Sequence, residues 1–147
     1  MSYNKWITYG YGICVDDIKT TPEKLLKLAA MQPGTLENVR EYLNQIHPEG
    51  YEDADLTLED FDDLEGDYCE RGVVYILNDV IREIPITYAD DYNGSNYLLY
   101  SVTYPWCMSE NEKNLREKDI EYIFKKYVQI LTDEPIEINY YDVENDG

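Results

Sequence analysis

Acid–base or nucleophilic catalysis in this sequence would have to begin from one histidine, His47, and three scattered cysteines, Cys14, Cys69 and Cys107. Neither set forms a local catalytic signature. His47 falls at the expected end of a helix, where an imidazolium complements the helix dipole. Cys69 lies among carboxylates, which raise a thiol's pKa and blunt it as a nucleophile. Cys14 and Cys107 read as packing residues. Gly10-Tyr11-Gly12 lacks the third glycine of a phosphate loop and runs on to Asp16-Asp17 instead of a helix start. Placing Gly94 at the sixth position of a calcium loop puts Ala89 and Tyr100 where carboxylates are required, so that match fails as well. The expectation is a protein that is not an enzyme and needs no cofactor.

The chemistry the sequence does concentrate is negative charge. Residues 51–70, YEDADLTLEDFDDLEGDYCE, hold ten carboxylates and no Lys or Arg. The formal net charge is −19, and it is lopsided: from Glu41 to Glu112 eighteen acids face only Arg71 and Arg82. Phosphate binding needs clustered cations, so direct contact with nucleic acid is excluded, and an anionic membrane repels such a chain. A basic partner is the electrostatic complement. Duplex DNA carries one charge per about 1.7 Å of axis. If residues 59–67 were α-helical, their six carboxylates would span roughly 12 Å, about one per 2 Å. The acids could chelate a hard cation weakly, but no spacing selects a metal. The candidate partner-binding residues are therefore Asp53, Asp55, Glu59, Asp60, Asp62, Asp63, Glu65, Asp67 and Tyr68. Phe61 is either a further anchor or a core residue.

The elements that position these residues are legible in outline. Ile7, Tyr9, Tyr11, Ile13 and Val15 share one parity of a strand, and Gly10 and Gly12 leave its other face bare. Thr20-Thr21-Pro22-Glu23 opens a helix that Pro33-Gly34 stops. A second helix runs from Thr35 to Pro48. Thr57 and Asp60 form a cap pair for a short acidic helix over 58–65. Val73 to Ile84 is apolar at helical spacing until Pro85. Asn93-Gly94 predicts a two-residue hairpin that places Tyr88 opposite Leu99 and Thr87 opposite Tyr100. A long helix carries Ile120 to Leu131, and Ile136, Ile138 and Tyr140 alternate in a final strand, with 145–147 fraying. The order is β-α-α-α-α-β-β-α-β. It defines one α+β domain over 1–147, a small antiparallel sheet of about four strands with about five helices mainly on one side. No repeat, linker, secretory leader or membrane span is apparent. The widely spaced, odd set of cysteines suits reducing, cytoplasmic surroundings.

The C-terminal third, YSVTYPWCMSENEKNLREKDIEYIFKKYVQILTDEPIEINYYDVENDG, resembles the ends of small acidic proteins encoded by phages and mobile elements of Gram-positive gut bacteria. Tyr104-Pro105-Trp106, Ile130-Leu131-Thr132-Asp133 and Val143-Glu144-Asn145 carry the resemblance. Such proteins include anti-CRISPR and anti-restriction inhibitors that act as nucleic-acid mimics. The resemblance implies a non-enzymatic inhibitor of a host defence nuclease, with a basic nucleic-acid-binding host protein such as a CRISPR nuclease as partner. The alternative is a phage accessory or structural protein that binds another protein through a tyrosine-rich sheet face.

Overall fold

The computed structural model describes residues 5–62, 72–91, 95–100 and 116–146. They form strands β1 (Lys5–Cys14), β2 (Thr87–Asp90), β3 (Asn96–Tyr100) and β4 (Asn139–Asp146). The α-helices are α1 (Pro22–Ala29), α2 (Pro33–Ile46), α3 (Val73–Val80) and α4 (Glu117–Leu131), and 3-10 turns occupy 15–17, 53–55 and 58–61. The sheet is antiparallel throughout, in the order β2-β3-β1-β4. The fold is α+β, as the element order implies.

Strand alternation sorts the two faces. Ile13, Leu98 and Tyr100 turn towards the helices and join one core with Leu25, Leu28, Val39, Leu43, Ile76, Leu77, Phe124 and Leu131. The opposite face holds a small cluster of Ala89, Leu99 and Val143, flanked by Tyr97 and Tyr141. Gly12 lies opposite Leu99, and a Cβ there would sit 2.0 Å from the Leu98 carbonyl oxygen. The bare face expected of β1 is thus a close approach of β3. The sheet coils strongly enough that the outer strands β2 and β4 come within 8 Å of each other between Cα atoms.

Helix starts follow local chemistry. Thr21 caps α1, its hydroxyl accepting from the Lys24 amide at 3.4 Å, and Pro22 occupies the first turn. Helix α1 ends at Ala29, so Pro33-Gly34 is not its stop. That pair begins α2, because a proline in the first helical turn gives up an amide that has no partner there. The acidic helix expected over 58–65 is a 3-10 turn, Leu58–Phe61, begun by the anticipated pair: Asp60 Oδ2 accepts from the Thr57 amide at 2.8 Å. Residues beyond Asp62 in that stretch lie outside the described set. Phe61 is fully buried, so of its two sequence readings it is core. Gly72 allows this: it adopts φ 72°, and a Cβ there would meet the Phe61 carbonyl at 2.7 Å. Helix α3 stops at Val80, short of Pro85, since Ile81 turns extended and both Ile81 and Ile84 reach the core from non-helical backbone.

The hairpin is present, but its register is one residue from expectation: Thr87 faces Leu99 and Tyr88 faces Leu98. The Asp91 amide donates to the Ser95 carbonyl at 3.0 Å, and the Asp91 carboxylate accepts from the Ser95 amide at 2.9 Å. That closure encloses three residues where a type I′ turn would enclose two. A one-residue slip exchanges faces, and here it turns Tyr88 into the main core. The final strand also starts later than expected. Ile136 and Ile138 pack against the main core ahead of it, and Asn145 pairs with Trp6 instead of fraying.

Asp16 anchors the hairpin. Its two carboxylate oxygens accept from the backbone and side-chain nitrogens of buried Asn96, each at 3.0 Å, and Tyr88 donates its hydroxyl to the Asn96 side chain. Asp16→Ala removes both acceptors from a buried amide, which should cost about 1–3 kcal/mol. The urea midpoint is expected to fall correspondingly, with little change in the denaturant slope.

Candidate partner-binding surface

Helix α2 and the loop that follows it bring the acids together. Amphipathic spacing buries Val39 and Leu43 and turns Glu37, Arg40 and Glu41 outward, where they share a shallow groove with Asn44 and Gln45. The chain leaves α2 at His47 and passes through Tyr51 and the 53–55 turn. It returns at Asp60, whose Oδ1 lies 3.1 Å from His47 Nε2. This is a compact loop whose ends meet.

Three contacts fasten it to the helix. The Arg40 guanidinium binds both carboxylate oxygens of Asp53, at 2.7 and 3.0 Å, in the two-pronged geometry arginine favours. Its Nη1 also donates to the Tyr51 hydroxyl at 3.1 Å. The Tyr51 ring in turn lies 5.6 Å from the His47 ring. The hydrogen bond from Arg40 holds the Asp53 carboxyl below its ordinary range, and Asp53 and Tyr51 together raise the already high pKa of Arg40. The Thr57 amide, followed by His47, holds the Asp60 carboxyl down in the same way.

The sequence candidates divide accordingly. Asp55 and Glu59 are exposed and available. Asp53 and Asp60 are committed to Arg40 and to Thr57 and His47. Asp62 is half-buried, and its Oδ1 has no hydrogen-bond partner among the described residues. Asp63, Glu65, Asp67 and Tyr68 lie outside the described residues. Glu37, Glu41, Glu49 and Glu52 are exposed beside the same loop and were missed. The outward face of α2, readable from its apolar periodicity, was the signal that could have found Glu37 and Glu41. The even spacing of charge along an α-helix also fails here, because a 3-10 turn rises about 2.0 Å per residue and this one ends at Phe61. Density of charge survives: nine acids and one arginine lie between Pro33 and Asp62. That arginine is already neutralised by Asp53.

Both depressed carboxyls face a cationic or donor partner, which gives a pH prediction. A group whose folded pKa is lowered stabilises the fold above its unfolded pKa, here 3.8, and loses that contribution as pH falls through the folded value. The loop is expected to stay fastened at neutral pH and to release below pH 3.8. Amide exchange at residues 51–60 should therefore accelerate in acid before the amides of α1 do so.

Among the described residues, no group of three or more His, Cys, Asp or Glu is placed to hold a metal ion, and no helix is long and apolar enough to cross a membrane. Comparison with protein-family models, with curated proteins and with solved structures found no match to this chain.

Proposed function

We propose that this protein is a non-enzymatic, phage-encoded inhibitor of a host defence nuclease, a nucleic-acid mimic whose acidic loop and α2 face occupy a basic groove. The observation that carries the reading is the set of exposed carboxylates, Glu37 and Glu41 on α2 and Glu49, Glu52, Asp55 and Glu59 on the loop that Arg40 ties to it, with the charge of that arginine cancelled by Asp53. Such a face steers quickly to a cationic cleft, and its binding weakens with salt. The loop is fastened before any partner arrives, which lowers the ordering cost of association.

The test is competition with duplex DNA for an RNA-loaded Cas9-type nuclease and for a panel of restriction nucleases, at about 50 and 500 mM salt. Stoichiometric inhibition at low salt, relieved at high salt, supports the reading. No inhibition of any of them, or inhibition indifferent to salt, counts against it.

A second reading has its own observation. Tyr122 and Tyr140 are 70% and 61% exposed, an unusual display of aromatic area on α4 and β4. An accessory protein that binds another protein through that area would lose binding when both tyrosines become alanine and would show little salt dependence.

A further inference from the structure

A second concave site lies away from the acidic loop, where the end of β1 meets the connection from α4 to β4. Its volume is about 420 Å³, at the small end of the range for small-molecule sites. Cys14, Ile18, Ile136 and Tyr141 contribute to its wall. Glu134 and Glu137 also line it, and both are exposed.

The frame around the cavity is built. Thr132, itself buried, accepts the Glu134 amide on its hydroxyl at 3.2 Å, which fixes the turn that carries Glu134. The Tyr141 ring packs on Tyr97, centroids 5.0 Å apart. No Lys or Arg is among the described lining residues. A lining that mixes apolar and aromatic side chains with two solvent-exposed carboxylates at its rim selects a particular chemistry. The wall accommodates a ring, the rim attracts a positive charge, and an anion is repelled by both the rim and the whole molecule.

We propose that this cavity binds a small organic amine, an aromatic or alicyclic ring bearing a protonated amino group. The site stands apart from the inhibitor reading, and either can fail without the other.

The Cys14 thiol in the wall supplies the readout. Its alkylation by iodoacetamide is followed by peptide-resolved mass spectrometry, so that Cys69 and Cys107 do not contribute. Tryptamine, tyramine and cyclohexylmethylamine are compared with indole-3-propionate, an anion of similar shape to tryptamine. An amine present at four times its Kd is expected to slow Cys14 alkylation about fivefold, by simple occupancy. Indole-3-propionate should not slow it. Glu134→Gln with Glu137→Gln should remove the protection while leaving the thermal midpoint unchanged, since both side chains are exposed; protection is read as the ratio of alkylation rates with and without amine in the same variant, because loss of two carboxylates can itself quicken the thiol. Amide chemical shifts of residues 132–141 should move on titration with the amine. Protection by none of the three amines, equal protection by the anion, or protection that survives the double substitution overturns the proposal.

Discussion

The variant Glu49→Lys, Glu52→Lys, Asp55→Lys, Glu59→Lys should lose partner binding by about a thousandfold or more while keeping its fold. These four side chains are exposed and make none of the contacts that fasten the loop to α2. Exposed substitutions of this kind usually change stability by no more than about 0.5 kcal/mol each. Against a basic groove each reversal replaces attraction with repulsion, and like-charge contact at an interface costs several kcal/mol. About 1.4 kcal/mol per reversal would multiply to well beyond a thousandfold. A companion variant with Asp90, Asp133, Glu137 and Asp142 changed to Lys carries the same alteration of net charge at other exposed positions. Titration calorimetry of both variants against the inhibited nuclease separates local from global electrostatics. Equal loss in the two would mean that overall acidity, and not this face, governs binding. Unchanged affinity in the first would end the mimicry proposal.

Gly12→Ala should be the most damaging single methyl group in the sheet. The added Cβ would lie 2.0 Å from the Leu98 oxygen, with the Leu98 carbonyl carbon and Leu99 Cα both at 3.0 Å. All three are backbone atoms of the neighbouring strand, so no side chain can swing aside. Relief requires β1 and β3 to part at the Gly12–Leu99 pair, and Leu99 is fully buried there. A loss above about 4 kcal/mol is expected, set against a typical domain stability of about 5–15 kcal/mol. Gly34→Ala is the matched contrast. Nothing lies within 4 Å of a Cβ at that position in α2, and alanine there should stabilise by about 0.4–1 kcal/mol. Urea unfolding followed by circular dichroism measures both. Parental stability in Gly12→Ala would show that the strands do not approach as closely as described.

Short-range rules made much of the fold legible. The first strand and the Thr21-Pro22 cap depend on neighbours a few residues apart, and they appear where the sequence placed them, except that the strand ends at Cys14 and Val15 opens a 3-10 turn. So does the Thr57–Asp60 pair, although the turn it begins is tighter than an α-helix. The hairpin register was not legible, because it turns on the Asp91 carboxylate taking the Ser95 amide, a choice that Asn-Gly composition does not encode. Nor was the division of the acids. Asp53, Asp55, Glu59 and Asp60 look alike in the chain. Only tertiary contact commits Asp53 to Arg40 and Asp60 to His47, each across thirteen residues. The core role of Phe61 rests similarly on Gly72, eleven residues away and able to bring its backbone against the Phe61 main chain.

Strand β1 is central in the sheet, and its neighbours are distant in the chain. Lys5 pairs with Asp146, a separation of about 140 residues, and Gly12 pairs with both Leu99 and Asn139. At a ribosomal speed of about 5–20 residues per second, β1 waits roughly 7–28 s for its later partner to be synthesised. Ile13, fully buried in the finished protein, waits about 4–17 s at the same speed for Leu98, its partner on β3. The helical portion from α1 to α2 can condense early, whereas the sheet must close late. Nascent-chain handling by a holding chaperone would therefore matter more for yield of this protein than its modest length suggests.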